Sequence, residues 1–491
     1  MQPQNLNFGG GVAESAVNPV VLVVILLVGV VICVRPRASI IGPFLAAGIL
    51  IPYDQVLVLG GAHFPMIRLL ALFGLVRVGW TKISGKEKAF SGGMNGIDWA
   101  VIAFVVFTLI DGVLLWRTTG ELVFQVGNTI TYLGVYFLFR HLIRTEDDVK
   151  RALRTLAWVA SGIAVLMLYE HFTGRNPYYA ILGGARADFS TAIDREDAFR
   201  ARGVFAHPNL AGSFGGFIFP LFLGWWSKEK SMRKIALLGA IGAAAIPLAT
   251  GSSTALFALI GGLIALCFWR IRKSMRLVRW GIVATLAGLQ MVMKSPVWHI
   301  ISDVDLTGSS SSYHRYQLVN QCILHFRDWA LIGTKDFGNW GWDMWDLSNQ
   351  YVGTADTAGL IPFVALLAIL VFGFKYVGKM RRVAAKEGDK KLEFFVWAIG
   401  ASLFGNVVAF MGIGYFDQTI VPWYMLLAIL SAMTMGVWSR QPAAVLEGAR
   451  AEAEATPVRL GFVSRPWSRP AKDVGARAGL QAVGNGSKRG S

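Results

Sequence analysis

The sequence predicts an all-α polytopic membrane protein with about 12–13 transmembrane helices and two large outer loops, and three observations carry that prediction. Of 491 residues, 54% are hydrophobic and only 16% charged, against about 25% charged in an average soluble domain. Apolar runs such as VVLVVILLVGVVICV (20–34), WAVIAFVVFTLIDGVLLW (99–116) and STALFALIGGLIALCFW (253–269) recur along the chain with charge between them. Basic residues are segregated: 36 of the 47 Lys and Arg fall in seven stretches, 35–37, 77–88, 140–154, 228–234, 270–279, 375–391 and the tail from 440. The composition excludes a large water-soluble enzyme, a disordered chain, a collagen and a disulfide scaffold.

A formal charge of +17 would suit nucleic acid, but its confinement between apolar runs reads as topology, because Lys and Arg resist transfer across a bilayer. No nucleic-acid partner is expected. The basic stretches are assigned to the cytoplasmic side. The polar segments 172–206 and 296–356, which taken together hold more acidic than basic residues, go to the opposite side. Threading between these anchors places spans near 20–34, 38–52, 60–80, 99–116, 121–139, 155–171, 208–226, 235–250, 252–269, 280–295, 357–374, 393–412 and 420–437. The N-terminus then lies outside and the C-terminus inside. Pro52 and Pro65 interrupt the pattern between 38 and 80, where a re-entrant piece is the alternative to a span. An uncharged, glycine-rich leader followed by Arg35 and Arg37 reverses the order of a secretory signal, so the first run is expected to remain as a span. Cys33, Cys267 and Cys322 show neither paired nor metal-ligand spacing, and neither a disulfide nor zinc is expected. Residues 1–437 make up the membrane domain. From 438 the chain is rich in Ala, Gly, Pro and Arg without apolar periodicity, which predicts a disordered basic cytoplasmic tail.

Chemistry in a polytopic protein is sought in its polar outliers, here the two outer loops. The first ends in DREDAFRARGVFAHPNLAGSFGGF. Arg200 and Arg202 precede Gly203, and His207, Pro208 and Asn209 lead into an apolar helix, with Pro208 suited to its first turn and His207 or a neighbour to its cap. Two guanidiniums beside a helix N-terminus suit a diphosphate; a plain loop returning to the membrane is the competing reading. In the second loop, Tyr316, Val319, Ile323, Phe326 and Ala330 recur at spacings of three and four. They predict an amphipathic helix over 313–332 lying on the membrane surface, capped by Ser311 or Ser312. Trp340, Trp342 and Trp345 follow, as interface anchors or sugar-stacking faces. Asp343 and Asp346 stand among them as candidate general bases.

Three segments together resemble the O-antigen ligase and O-antigen (Wzy-type) polymerase superfamily of membrane glycosyltransferases over about 155–437. RARGVFAHPNLAGSF is similar to the family's Arg, Gly and Pro-Asn pattern before a span. TGSSTALFALIGGL (250–263) is similar to its TGSR-type segment. SNQYVGTADTAGL has Asn349 followed, after nine intervening residues, by Gly359, as in the ligase motif. Two positions depart: Ser348 stands where family ligases carry a His, and Ser253 where the TGSR-type segment ends in Arg.

The resemblance implies a GT-C-like membrane fold and transfer of glycan from a polyprenyl-diphosphate-linked donor to a glycan or lipid acceptor. The implied location is a bacterial inner membrane, with the loops periplasmic and the C-terminus cytoplasmic. Membrane lipids, a chain-length regulator or a flippase are the further partners, and no cofactor or metal is expected. On this reading Arg202 and Arg315 stabilise the leaving diphosphate with Arg200 in support. His207, Asn209, Asn349 and Trp342 bind or position substrate. The base is Asp346, or else His314, since Ser348 cannot serve at neutral pH without an activating neighbour. The rivals are a transporter or flippase for lipid-linked sugar and a non-catalytic scaffold of the same fold.

The charge segregation makes topology testable in intact cells. Cysteines introduced at 190 and 310 should react with an impermeant reagent added outside. Those at 145, 232, 274, 385 and 470 should react only after permeabilisation. Labelling of 232 with protection of 190 would invert the orientation.

Overall fold

The computed structural model describes residues 15–434 apart from 53, 86–89, 91, 184–192, 196–197 and 304–310. The tail expected from 438 lies outside the described residues. The chain is an all-α polytopic membrane protein; among the described residues, eight helical stretches are long and apolar enough to cross a membrane, and two shorter apolar helices precede them.

The short pair is α1 (Pro19–Val34), started by an Asn18 side chain that accepts the N–H of Val20, and α2 (Arg37–Leu50). Where a span was expected from residue 60, the chain instead forms a hairpin of β1 (Val56–Leu59) and β2 (Ala62–Pro65). Its turn runs through Gly60 and Gly61 at φ 59° and 83°, the left-handed pair that a two-residue hairpin loop requires. α3 (Met66–Ser84) begins only after Pro65. α4 (Gly96–Trp116), α5 (Thr119–Leu142) and α6 (Glu146–Thr173) follow, with capping boxes at Asn95 and Thr145.

The first polar segment holds α7 (Pro177–Leu182) and a hairpin of β3 (Ile193–Arg195) and β4 (Ala198–Arg200). α8 (Pro208–Lys228), α9 (Arg233–Ala249) and α10 (Ser253–Cys267) come next. A 3-10 stretch, Phe268–Ser274, leads to α11 (Met275–Val292), none of whose side chains is buried. The second polar segment contains α12 (Ile300–Asp303), α13 (Ser311–Leu324), α14 (Phe326–Trp329) and α15 (Gln350–Ala358). α16 (Leu360–Lys386), α17 (Lys390–Ala409) and α18 (Ile420–Thr434) complete the bundle.

Two boundaries differ from the sequence expectation, each for a local reason. The span expected from 357 starts at Leu360, because Gly359 at φ 85° separates α15 from α16, and a Cβ there would sit 2.9 Å from the carbonyl oxygen of Leu331. The helix expected over 313–332 stops at Leu324 and resumes at Phe326, with His325 between them. Its buried face is also rotated. Leu318, Cys322 and Trp329 are inside while Ile323 and Phe326 are each 47% exposed, because this helix packs its inward face into a small core with Met344, Val352 and Ala355. The cap expected at Ser311 or Ser312 belongs to a turn that includes residues outside those described.

α8 is the central helix. It packs on α9, α10 and α17, and its small residues allow backbones to approach closely. At Gly212 a Cβ would lie 2.2 Å from that of Ala255, so no side chain fits between α8 and the start of α10. At the opposite end of the bundle from the two polar segments, Arg37 pairs with Asp148, Lys228 with Glu146 and Arg272 with Glu393.

Arg140 and Asp98, both fully buried, form an ion pair at 2.7 Å that Tyr136 joins through its hydroxyl. Removing one partner strands the other charge, which costs about 3–5 kcal/mol. Arg140→Met and Asp98→Ala should each lower the thermal midpoint sharply in detergent, and the double variant should lose much less than the sum of the two.

Candidate functional site

The two polar segments meet over the N-terminus of α10. Ser252 caps that helix, accepting the N–H of Ala255, and donates its hydroxyl to Asn209 Oδ1 at 2.7 Å. Arg200 reaches the same oxygen through Nη2 at 2.9 Å, and its Nε donates to the Thr250 carbonyl. The strand carrying Arg200 is fastened by the Ala201 N–H on the Ala249 carbonyl. From the other side, Arg315 on α13 donates to Thr254 Oγ1 at 2.9 Å, and Thr254 donates to the Gly412 carbonyl. One residue earlier, the Met411 carbonyl accepts from Asn349 Nδ2, whose Oδ1 caps α15 on the N–H groups of Tyr351 and Val352. The N-termini of α8, α10 and α15 are therefore tied into one network, and their unpaired N–H groups and dipoles add positive potential to two guanidiniums.

The spacing of the third motif has a structural meaning. Asn349 is the cap, the nine intervening residues are the nine residues of α15, and Gly359 ends the helix. Asn349 is 1% exposed and serves the fold as well as the site.

His207 is the N-cap of α8, its Nδ1 accepting the N–H of Asn209 at 3.1 Å. Burial first, then the charges of Arg200 and Arg202, push its imidazole down to about 4, so it is a neutral helix cap. Arg202 is 4% exposed. The carboxylate of Glu170 on α6 accepts the Gly203 N–H at 2.7 Å and faces the Arg202 charge. Arg200 and Arg315 hold the network over α10, whereas Arg202 faces Glu170 and His207. Trp342 is 83% exposed, and the fold does not bring it to this network. Trp340 instead stacks on His325 at 4.4 Å, and Trp345 packs on Phe337.

His314 Nε2 lies 3.0 Å from the backbone carbonyl oxygen of Asp346, and the Ser348 N–H donates to that same oxygen at 2.8 Å. A carbonyl only accepts, so Nε2 carries the proton and the lone pair lies on Nδ1, which is buried with no hydrogen-bond partner. An imidazole from α13 thus stands beside position 348. The Asp346 carboxylate is exposed at the surface. No metal cluster was expected from spacing, yet the fold brings donor atoms of His314, Asp343 and Asp346 within 4.8 Å of one another. Sequence reasoning assigned no role to Ser252 or Thr254, although both lie inside the TGSST segment, and nothing in the local sequence marked Met411 or Gly412.

The His207 imidazole sets a pH window. Its folded-state value is below the ordinary 6.5, so its contribution to stability is complete above about 6.5 and is lost as pH falls towards 4. Asparagine caps a helix without titrating. The stability of wild type relative to His207→Asn should therefore fall by more than about 1 kcal/mol between pH 7 and 4, read from paired thermal melts.

Compared with known proteins, the chain matches no family model, and no curated protein matches it.

Proposed function

We propose that the protein is a membrane glycosyltransferase that takes glycan from a polyprenyl-diphosphate-linked donor during surface polysaccharide assembly, as an O-antigen or exopolysaccharide polymerase or ligase. The observation that carries this reading is the first turn of α10 held between two guanidiniums, Arg200 through Asn209 and Ser252, and Arg315 through Thr254. Paired guanidiniums at helix N-termini suit a diphosphate, and they suit it best when charge grows on its oxygens as it leaves.

In the proposed reaction an acceptor hydroxyl attacks the anomeric carbon. The bond to the diphosphate oxygen breaks with its electron pair, and the hydroxyl proton passes to His314 Nδ1. Asp346 holds that imidazole by its backbone carbonyl, which gives the ring its tautomer and leaves the carboxylate a lesser part. Arg315 stands next to Ser253, and His314 next to Ser348, the two positions that lack the family's Arg and His. One helix, α13, supplies both groups. The lobe of α12–α15 is then periplasmic, the C-terminus cytoplasmic, and the membrane the bacterial inner one. A flippase for lipid-linked sugar would share the arginines without releasing diphosphate, and a scaffold would release none.

The test is release of polyprenyl diphosphate from a defined lipid-linked glycan by purified protein. Arg200→Lys and Arg315→Lys should lose most activity, since lysine keeps the charge and loses the planar fork. His314→Ala should lose about 100-fold or more, while Asp346→Asn and Ser348→Ala remain within about tenfold of wild type. Full activity in His314→Ala with none in Asp346→Asn would move the base to the carboxylate. Donor translocation without diphosphate release by wild type would replace the transferase with the flippase.

A further inference from the structure

A second polar feature lies next to the α15 cap. α4, α5 and α15 line a partly open cavity of about 180 Å³ whose wall includes Gln125, Asn128, Thr129, Tyr132, Gln350 and Thr354. No residue lining it is charged. Gln350 directly follows Asn349, and its backbone N–H is fixed on the Phe410 carbonyl, so this wall and the α10 network share one turn of chain.

The wall offers both hydrogen-bonding senses. Thr108 and Thr357 spend their hydroxyl protons on the carbonyls of Phe104 and Gly353, leaving oxygen lone pairs as acceptors. Thr354 Oγ1 accepts from Gln350 at 3.0 Å, so its own proton remains to donate. Asn128 gives its Oδ1 to Arg68, which leaves its NH2 group as the donor end. Phe104 and Tyr132 add aromatic surface. Each sugar hydroxyl both donates and accepts, and the C–H face of a pyranose packs on aromatic rings. The volume has room for about six waters, close to the bulk of one pyranose ring. A diphosphate or a carboxylate would find no counter-charge in this wall, and a lipid tail would desolvate its amides without pairing them.

We infer that this cavity seats one neutral sugar residue, and that it is the acceptor subsite for the transfer proposed above. The sugar site stands on the cavity alone; its acceptor role rests on the transferase reading.

The experiment uses the full chain in lipid nanodiscs with two probes, neutral methyl glycosides of glucose, galactose, mannose and N-acetylglucosamine, and undecaprenyl diphosphate. Methyl glucuronide serves as the charged control. Saturation-transfer NMR reports glycoside binding, and native mass spectrometry reports the lipid. At least one neutral glycoside should bind wild type in preference to the glucuronide. Thr357→Trp, which fills the cavity from an exposed position, should abolish that binding. Thr108→Val and Thr129→Val keep the volume and should each weaken it about fivefold, the value of one hydrogen bond. All three variants should keep wild-type affinity for undecaprenyl diphosphate, which also certifies their fold. No binding of any neutral glycoside to wild type, or unchanged binding in Thr357→Trp, overturns the sugar site while leaving the transferase reading standing. Glycoside binding that these variants remove, in a protein that never binds undecaprenyl diphosphate, keeps the sugar site and overturns the transferase reading with the acceptor role.

Discussion

The first turn of α10 is the joint on which the lobe end of the molecule depends. A helix start leaves four backbone donors unpaired, and here the cap Ser252 and its neighbour Thr254 are each hydrogen-bonded to a different polar segment, through Asn209 and Arg315. Close packing forces this arrangement. Gly212 lets α8 approach the turn so nearly that a single added carbon would collide with Ala255, which sets Asn209, one turn earlier on α8, at the height of Ser252. The two arginines are placed by the same contacts that end the helices, so charge for an anion is gathered at little extra ordering cost.

The lobe is the second half of that constraint. α13 is positioned by Leu318 and Cys322, packed with Trp329, Met344, Val352 and Ala355, and it carries His314 and Arg315 on consecutive residues. Arg315 reaches α10 while His314 reaches the carbonyl shared with Ser348. A helix with two such anchors keeps imidazole and guanidinium at a constant separation, as the proposed transfer, which needs a base and a leaving-group cation together, would require.

Much of this fold was legible in the sequence because a membrane helix is written in long apolar runs with basic flanks, and each expected span overlaps a helix among the described residues. The misreadings fell where a shorter-range rule outweighed hydropathy. Gly60 and Gly61 made a hairpin out of apolar residues that read as the start of a span, and Gly359 cut α15 from α16. The amphipathic spacing on α13 was read against a membrane surface, whereas the helix has a protein core to bury into, and its inward face turned to Leu318 and Cys322. At the site, residue types pointed to Arg200, Asn209, Arg315 and Asn349. The Thr250 and Met411 carbonyls that accept from Arg200 and Asn349, and the Gly412 carbonyl that accepts from Thr254, are backbone groups, which no sequence pattern reveals. Trp342 was chosen for its chemistry alone, and it lies on the surface.

The same limit explains why α13 gained weight over the motif positions themselves. The resemblance read in the sequence would expect a histidine at 348 and an arginine at 253, and the chain has serine at both. Hydrogen bonding respects space rather than alignment. The Asp346 carbonyl accepts from both the Ser348 N–H and His314 Nε2, and Thr254, beside Ser253, accepts from Arg315. An imidazole and a guanidinium therefore arrive beside positions 348 and 253 from a third segment, α13. The Nδ1 of His314 is buried, and the carbonyl on Nε2 sets the tautomer that leaves its lone pair for the base role proposed above. In that reading the polar, uncharged cavity beside Gln350 holds the sugar whose hydroxyl supplies the proton. In the proposed reading, charge for the leaving group comes from the arginines at α10 and neutral hydrogen bonds for the sugar from the uncharged cavity at Gln350, so the acceptor would not compete for the arginines.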